Sequence, residues 1–325
     1  MRDPSPAVAP IGVAGYNPAM TSPCPCSRSI YRRLGRHLRS LGPTIAVLVF
    51  GLATGTARAA PPVWHIHGAH ADITLFGSVH LLADTTSWKT PALEADLARA
   101  QALWFEIPVD ASSQAEVAAQ VQTRGALPAG QTLSSLLSPE VNARLVKAAQ
   151  ASPMPLSVIE RFKPWMADLL LTVLFAEEHG AKSEFGVEQQ IAKDAPPTAE
   201  RGAFETVAEQ IDLFANQPPS DQIASLNQDL IEIADDPGAF DRIAAAWARG
   251  DTKAIVKEAV LPLKREAPGV YAQLLVARNR RFAAKIEELL AGSQQVFITV
   301  GVAHLVGPDS VPAMLRNAGV RVEGP

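Results

Sequence analysis

The sequence predicts an α/β protein in which a mixed central sheet with βαβ units carries a large helical insertion within a single domain. Three regions of the 325-residue chain support this fold class. Residues 60–110 read as strands around one helix, residues 111–269 are mostly helical, and residues 270–325 return to helix and strand. Strands alternating with helices are typical of α/β domains, and the chain is long enough for one large hydrophobic core.

The first of these regions contains a predicted hairpin followed by a βαβ unit. Residues 63–67 and 73–76 are rich in strand-forming side chains on either side of Gly68, which predicts two paired strands. Residues 91–100 have apolar side chains at helical spacing, and the apolar run at residues 102–107 suits a strand covered on both faces. A strand, a helix and another strand in this order predict parallel strands.

The elements of the insertion and of the C-terminal region are predicted from residues that typically begin or end helices and from apolar runs. Within residues 111–269, Ser138 before a proline is typical of a helix start, and no stretch is long or simple enough to separate a second domain. Residues 270–291 form a long predicted helix, residues 296–300 a buried strand, and residues 309–317 a last helix. We therefore expect the insertion to lie between two sheet-forming ends of the domain.

Residues 1–59 read as a signal peptide with an N-terminal extension, which leaves residues 60–325 as the mature domain. A basic segment, residues 28–39, precedes the uncharged apolar run at residues 42–55 and a small-residue triplet that ends at Ala59. This run is too short to cross a membrane as a helix, which takes roughly 20 residues. We expect a periplasmic or secreted protein with no membrane-spanning segment after cleavage.

The composition narrows the classes of partner and cofactor. Removing residues 1–59 removes seven Arg and one Asp, so the rest of the chain is more acidic than the net charge of −4 of the whole sequence. An acidic domain lacks the basic face that nucleic acids require, so no nucleic-acid partner is expected. Both cysteines, Cys24 and Cys26, lie in the removed part. Any metal ion must then be bound by histidines and carboxylates.

Two matching turns are the main functional signal in the sequence. Residues 74–82 and residues 298–306 each consist of an apolar strand, then Gly-x-x-His, then two aliphatic residues. Glycine allows a sharp backbone turn where a strand ends, and the histidine three residues later is then presented at the edge of the sheet. Ligands bind at the carboxyl ends of strands in α/β sheets, so we expect His80 and His304 to meet there.

Glu106 and Arg278 are the charged residues predicted to join this pair. Glu106 lies near the end of an apolar run, where a carboxylate must be paired, protonated or bound to a metal. Arg278 lies in the middle of an apolar stripe on the helix at residues 270–291, so it is predicted to point inward. Arg278 would stabilise a transition state or act as a structural clamp. An ion pair between Glu106 and Arg278 inside the core is the alternative to a metal role.

Together, His80, His304 and Glu106 predict a site of two histidines and one carboxylate for a divalent metal ion. Such a set suits Zn²⁺, Mn²⁺ or Co²⁺ with one position left open, and the metal would activate water for hydrolysis near neutral pH. Catalytic roles are assigned to Glu106 and Arg278. The denser histidine cluster on the hairpin, at residues 65, 67 and 70, is interpreted as part of a solvated hairpin instead.

These motifs occur in an order that resembles the TraB/PrgY/GumN family over about residues 61–323. The shared pieces are the turns at residues 77–80 and 301–304, Phe105-Glu106, Arg278-Asn279, and intermediate pieces at residues 163–165, 185–188, 204–206 and 247–251. The family is similar to the Tiki proteins, which are membrane-anchored metal-dependent proteases, and to the erythromycin-esterase and ChaN-like fold. The resemblance implies metal-dependent hydrolysis centred on His80, His304 and Glu106, with Arg278 and Glu205 assisting.

One segment departs from the family pattern, and two functions remain open. Residues 199–202 are more polar than the buried strand that the family shows ahead of Glu205. The first function is an exported metal-dependent hydrolase that acts on a peptide or protein substrate. The second is a non-catalytic binding protein that captures a peptide or glycan in the same cleft. A link to polysaccharide biosynthesis rests only on the gene neighbourhood for which GumN-type members are named.

Overall fold

The computed structural model describes residues 59–325, so the predicted signal peptide lies, apart from Ala59, outside the described residues. Six strands form one mixed sheet in the order β6-β4-β7-β2-β1-β8. They are β1 (Val63–His67), β2 (Asp72–Ser78), β4 (Ala102–Phe105), β6 (Glu200–Ala203), β7 (Gln295–Gly301) and β8 (Arg321–Glu323). The short strands β3 (Leu82–Ala83) and β5 (Ala181–Lys182) pair separately.

Four neighbouring strands of the sheet are parallel, which confirms the prediction drawn from the βαβ unit. β7 pairs with β2 on one side and with β4 on the other, and β4 pairs with β6. β1 pairs antiparallel with β2 as the predicted hairpin, and β8 pairs antiparallel with β1. Parallel strands end at the same edge of a sheet, so one edge collects the ends of β2, β4, β6 and β7. We call it the carboxyl edge.

Helices make up most of the rest of the described chain. In chain order they are α1 (Pro91–Arg99), α2 (Ala111–Arg124), α3 (Pro139–Gln150), α4 (Leu156–Ile159), α5 (Pro164–Glu178), α6 (Val187–Asp194), α7 (Val207–Ala215), α8 (Pro219–Asp235), α9 (Ala239–Ala248), α10 (Thr252–Ile255), α11 (Leu261–Glu266), α12 (Pro268–Tyr271), α13 (Arg278–Leu290) and α14 (Val311–Asn317). Among the helices described, none has the length and apolar character needed to cross a membrane.

The helical insertion is present, but it also supplies a strand to the main sheet. Residues 111–271 contain α2 to α12, and between them β6 pairs with β4 at the edge of the sheet. The side chains of Glu200 and Arg201 in β6 are exposed. An edge strand is covered on fewer sides than a central one, which explains why residues 199–202 are more polar than a buried strand.

The described residues belong to one compact unit and pack around three apolar clusters, of which the smallest contains Trp165, Val207 and Ile211. The largest cluster covers the sheet and includes Trp64, Phe76 and Ile298, each at most 1% exposed. The second lies among the insertion helices around Leu145 and Leu226. The sheet and the largest cluster therefore form the base from which the carboxyl edge presents its side chains.

The helix predicted at residues 270–291 contains a wider turn than the sequence indicates. A π-helical turn at Ala272–Ala277 directly precedes α13, which begins at Arg278. Arg278 is 6% exposed, so the prediction that it points inward is confirmed. Single π turns occur often at functional sites because they change which side chains a helix presents.

Candidate active site

Four ionisable side chains follow the four parallel strands at the carboxyl edge. His80 follows β2, Glu106 follows β4, Glu205 follows β6 and His304 follows β7. Strand pairing aligns these ends, because the last residue of β2 lies opposite the last residue of β7, and the last residue of β4 lies opposite the last residue of β6. The fold therefore brings together residues from both ends of the domain, as the two Gly-x-x-His turns predicted.

Both ring nitrogens of His304, which is 4% exposed, have partners. Nδ1 lies 2.5 Å from Oδ1 of Asn279, and the Asn279 amide is oriented by donating to the Asp309 carbonyl oxygen at 2.7 Å. Because an amide oxygen only accepts, Nδ1 carries the proton and Nε2 presents its lone pair. Nη1 of Arg278 donates to that lone pair at 3.0 Å. Burial lowers the pKa of His304 to about 4, so the ring is neutral near pH 7.

Glu106 is held on both of its oxygens. Oε1 accepts from the backbone N–H of Gly301 at 2.7 Å, and Oε2 accepts from Gln210 at 3.1 Å and from Nη2 of Arg278 at 2.5 Å. Burial alone would raise the pKa of this carboxyl. The facing imidazoles, the guanidinium and the Gly301 N–H outweigh burial and lower the pKa of Glu106 to about 2. Glu106 is therefore a buried carboxylate.

Arg278 uses all five of its N–H groups. Nε donates to the two oxygens of Glu205 at 3.0 and 3.1 Å, and Nη2 donates to Glu205 at 2.8 Å and to Glu106 at 2.5 Å. Nη1 donates to the Leu274 carbonyl oxygen at 3.2 Å and to His304 at 3.0 Å. The ion pair with Glu106, left open from the sequence as an alternative, is present, and the same guanidinium also reaches His304.

Glu205 is the most deeply buried carboxylate of the site. Its side chain is 1% exposed and pairs with two arginines of α13, because Arg281 donates to Oε1 at 2.5 Å while Arg278 contacts both oxygens. The structure thus places Glu205, for which the resemblance implied an assisting role, in direct contact with Arg278.

His80 differs from the other three residues because its side chain is 69% exposed. Nδ1 lies 2.7 Å from Oε1 of Glu188, and Oγ of Ser78 donates to the same oxygen at 2.5 Å. The Glu188 carboxylate raises the pKa of His80 to about 9, and water around the exposed ring screens part of this attraction. With Nδ1 held by Glu188, Nε2 is the nitrogen that remains for a ligand.

Gly301 keeps open the space that the two imidazoles and Glu106 share. A β-carbon at this position would lie 3.1 Å from Oε1 of Glu106, 3.7 Å from Cδ2 of His304 and 4.0 Å from Nε2 of His80. The three side chains therefore surround one small volume at the end of β7.

Two imidazoles and one carboxylate around this volume are a donor set that fits a divalent metal ion. In the side-chain positions of this structure, however, no three His, Cys, Asp or Glu side chains of the described residues lie close enough together to hold such an ion. Arg278 contributes to this arrangement, because it contacts both Nε2 of His304 and Oε2 of Glu106. The types of donor therefore fit a metal ion, whereas the position of the Arg278 guanidinium, in contact with two of the donors, disfavours metal binding in this arrangement.

Comparison with protein families gives one match that covers almost all of the described chain. The model of the TraB/PrgY/gumN family matches residues 62–324. The chain belongs to the TraB/PrgY/gumN family. This assignment confirms the resemblance drawn from the two turns and the residues between them. No curated protein and no solved structure matches the chain.

Glu188 is a site residue of this TraB/PrgY/gumN protein that the spacing of the two turns does not reveal. It lies in the first turn of α6, which packs against the turn after β2 because Val187 donates its N–H to the Val79 carbonyl oxygen at 3.1 Å. A β-carbon at Gly186 would lie 2.1 Å from the His80 carbonyl oxygen, so only glycine allows this approach. The Gly186-Val187-Glu188 piece, which contributed to the family resemblance, was the available signal.

The hairpin histidines of this family member lie away from the carboxyl edge. His65 contacts Asp96 at 2.9 Å and His67 contacts Asp72 at 2.8 Å, while His70 is exposed in the turn. They lie at the end of the hairpin where β2 begins, whereas His80 follows the end of β2. This placement agrees with the interpretation of a solvated hairpin.

Proposed function

We propose that the protein is a metal-dependent, peptidase-like hydrolase in which His80, His304 and Glu106 hold a divalent metal ion. The observation that carries the proposal is the way in which the two imidazoles are held. Nδ1 of His80 is bound by Glu188 at 2.7 Å, and Nδ1 of His304 is bound by Asn279 at 2.5 Å. Metal-binding histidines commonly have such a partner on the other ring nitrogen, which leaves Nε2 as the ligand atom.

The carboxylate and the open volume support the same proposal. Glu106 is ionised and buried beside Gly301, whose missing side chain leaves room for a ligand among the three donors. Zn²⁺, Mn²⁺ and Co²⁺ each accept nitrogen and oxygen donors of this kind. Such an ion would polarise the scissile carbonyl group and lower the pKa of water.

Arg278 is the catalytic cation in this proposal. Its guanidinium lies in a buried site, where hydrogen-bond donors stabilise developing negative charge more strongly than in water. Glu205 holds that guanidinium through Nε and Nη2, which fixes its orientation. Arg278 would therefore stabilise the oxygen of the attacked carbonyl group through the N–H groups that contact Glu106 and His304 in this structure, while Glu205 keeps the guanidinium in place.

The exposure of the site residues indicates how a substrate would approach. The side chain of His80 is 69% exposed, whereas those of His304 and Glu106 are 5% and 9% exposed. A peptide would therefore reach the buried donors from the side of His80. The choice of a peptide or protein substrate is motivated by the family resemblance to metal-dependent proteases.

Export to the periplasm or the outside of the cell is a separate part of the proposal. It rests on the basic segment, the apolar run and the small residues that end at Ala59. N-terminal sequencing of the protein from cell fractions would test it. A mature protein beginning near Ala60 outside the cytoplasm is expected, and an uncleaved cytoplasmic chain would contradict export.

Metal content and peptide cleavage test the hydrolase itself. The mature protein, purified without a histidine tag, is expected to contain Mn, Co or Zn and to cleave members of a peptide library after addition of Mn²⁺ or Co²⁺. His80→Ala and His304→Ala should each lose the metal and the cleavage. The matched control His70→Ala changes an exposed histidine outside the site and should retain both. Equal metal content in all four proteins would refute the proposed site.

A binding protein remains the second candidate, and one observation favours it. The charges of Glu106 and Glu205 are already balanced by Arg278 and Arg281, which makes a polar cluster that needs no metal to be satisfied. Such a protein would capture a peptide or glycan and release it unchanged. Binding of library peptides with no cleavage product in the presence of Mn²⁺, Co²⁺ or Zn²⁺ would favour this candidate over the hydrolase.

A further inference from the structure

We infer that Arg278 competes with a metal ion for Glu106 and His304 and must release both before the ion can bind. The inference rests on the proposed metal-dependent function. Two contacts carry it: Nη2 of Arg278 lies 2.5 Å from Oε2 of Glu106, and Nη1 lies 3.0 Å from Nε2 of His304. Nε2 is the atom through which His304 would bind a metal, and Oε2 belongs to the carboxylate whose other oxygen, Oε1, adjoins the open volume.

The competition at His304 follows from the chemistry of the imidazole ring. Nδ1 faces the Asn279 carbonyl oxygen and carries the proton, so Nε2 has the single lone pair of the neutral ring. A lone pair that accepts a hydrogen bond from Arg278 cannot at the same time coordinate a metal ion. The guanidinium and the ion are therefore alternative partners of His304.

The competition at Glu106 follows from its burial. Oε1 accepts the Gly301 N–H and Oε2 accepts from Arg278 and Gln210, and the residue is 8% exposed. A buried carboxylate without a neighbouring cation is very costly, so this position requires a positive charge. Either the guanidinium or a divalent ion meets that requirement, and the two cations would repel each other if both contacted the same carboxylate.

Glu205 provides a place for the guanidinium after it leaves the metal ligands. Three of the contacts of Arg278 are with Glu205, through Nε to both oxygens and through Nη2 to Oε2. Arg281 also holds Glu205, whose side chain is 1% exposed, so this carboxylate is a fixed anchor. Arg278 can therefore turn about its contact with Glu205 and remain paired while Glu106 and His304 become free.

Metal titrations of three variants test the inference. Mn²⁺ binding is measured by calorimetry and Co²⁺ binding by visible absorption, with the mature protein first treated with a chelator. Arg278→Gln removes the charge and the bridge, whereas Arg278→Lys keeps the charge but cannot contact Glu106, Glu205 and His304 together. The control Arg281→Gln removes an equal charge from the same helix, and Arg281 contacts Glu205 without contacting Glu106 or His304.

Both Arg278 variants are expected to bind Mn²⁺ and Co²⁺ about tenfold more tightly than the wild type, because no fraction of the protein has its ligands occupied by the guanidinium. Arg281→Gln should change the affinity by no more than about twofold, which would exclude a general effect of charge.

Thermal unfolding without added metal should show a lower Tm for Arg278→Gln, and saturating Mn²⁺ should restore it. Tighter binding by Arg278→Lys alone is sufficient support if Arg278→Gln does not fold.

The outcomes separate this inference from the proposed function. If the wild type binds metal through His80 and His304 but both Arg278 variants bind with wild-type affinity, the competition is refuted and the metal site stands. If no protein binds Mn²⁺ or Co²⁺, the metal site and the competition both fail. Binding by the Arg278 variants but not by the wild type supports both, with the arginine as the dominant competitor.

Discussion

Oε1 of Glu188 lies 2.7 Å from Nδ1 of His80, and this contact determines which nitrogen of the imidazole is left for a ligand. Ser78 donates to the same carboxylate oxygen at 2.5 Å, so Glu188 is itself held in position. A carboxylate behind an imidazole fixes the orientation of the ring and increases the basicity of its other nitrogen. In the proposed metal site, Glu188 is thus a positioning residue that would act through His80.

Replacing Glu188 by glutamine tests this positioning. Glu188→Gln keeps the shape of the side chain but removes its charge, so the affinity for Mn²⁺ is expected to fall about 10- to 100-fold. Calorimetric titration of both proteins measures the change. Glu184→Gln is the matched control, because its side chain is 66% exposed and lies just before α6. A loss of the same size in the control would contradict a specific role for Glu188.

Gly301→Ala tests the open volume among the proposed metal donors. The backbone of Gly301, with φ −49° and ψ 133°, is accessible to alanine, so the added methyl group acts only through its contacts. It would lie 3.1 Å from Oε1 of Glu106, and we expect metal content and peptide cleavage to be lost while the fold is kept. Gly269→Ala is the control, because no atom lies within 4 Å of its added carbon. Metal content equal to that of the wild type would show that the volume is not the metal site.

The stability of the insertion is expected to depend on pH through Asp168. This residue of α5 is 7% exposed and accepts from Ser225 at 2.8 Å, while its other oxygen has no hydrogen-bond partner among the described residues. Burial, and then the neighbouring Asp229 carboxylate, raise the pKa of Asp168 well above its ordinary value. The folded state therefore binds a proton that the unfolded chain releases near pH ~4, and stability falls as the pH rises from there toward the folded pKa.

Asp168→Asn should remove this part of the pH dependence, because an amide does not ionise. The free energy of unfolding is expected to rise by at least about 1.4 kcal/mol at pH 8, the value of one pKa unit, and by less at pH 5. Urea unfolding at the two pH values measures the difference. Asp84→Asn, at an exposed position, should show no such trend. A gain that is equal at both pH values would exclude ionisation as its cause.

Trp247 supports the strand that leads into the first turn. Its indole N–H donates to the carbonyl oxygen of Gly77 at 2.8 Å, and the tryptophan is fully buried against Phe76. Trp247→Phe removes this buried hydrogen bond and is expected to lower the free energy of unfolding by about 1–3 kcal/mol beyond the loss of packing. Trp88→Phe estimates the packing loss, because Trp88 is also buried and packs against the same Phe76 ring. Chemical unfolding that shows equal losses would contradict the importance of the bond.

The central part of the site could be predicted because it follows from local rules. A glycine that ends an apolar strand turns the chain, and a histidine three residues later lies at the carboxyl edge whatever the rest of the fold does. Glu106 was predicted at the same edge because it lies near the end of an apolar run, and it directly follows β4. The inward direction of Arg278 followed from the apolar stripe of its helix, although the π-helical turn before α13 could not be predicted from that stripe.

The partners of these residues could not be predicted because they depend on packing between distant segments. Glu188 reaches His80 only because Gly186 lets α6 approach the turn after β2. The sequence also does not reveal whether the guanidinium of Arg278 rests on Glu106 or on Glu205, since tertiary contacts determine the torsion angles of a long side chain. The polar sequence before Glu205 is explained by the edge position of β6, which depends on the strand order of the whole sheet.

The position of β7 has a consequence for how the molecule is made. β7 lies between β2 and β4 in the sheet, yet it comes after both in the chain, with the whole insertion preceding it. While the polypeptide is being synthesised, β2 and β4 have no neighbour on that side until residues 295–301 have emerged. The second imidazole arrives just after that last central strand, so a nascent or shortened chain that lacks it carries only two of the three proposed donors.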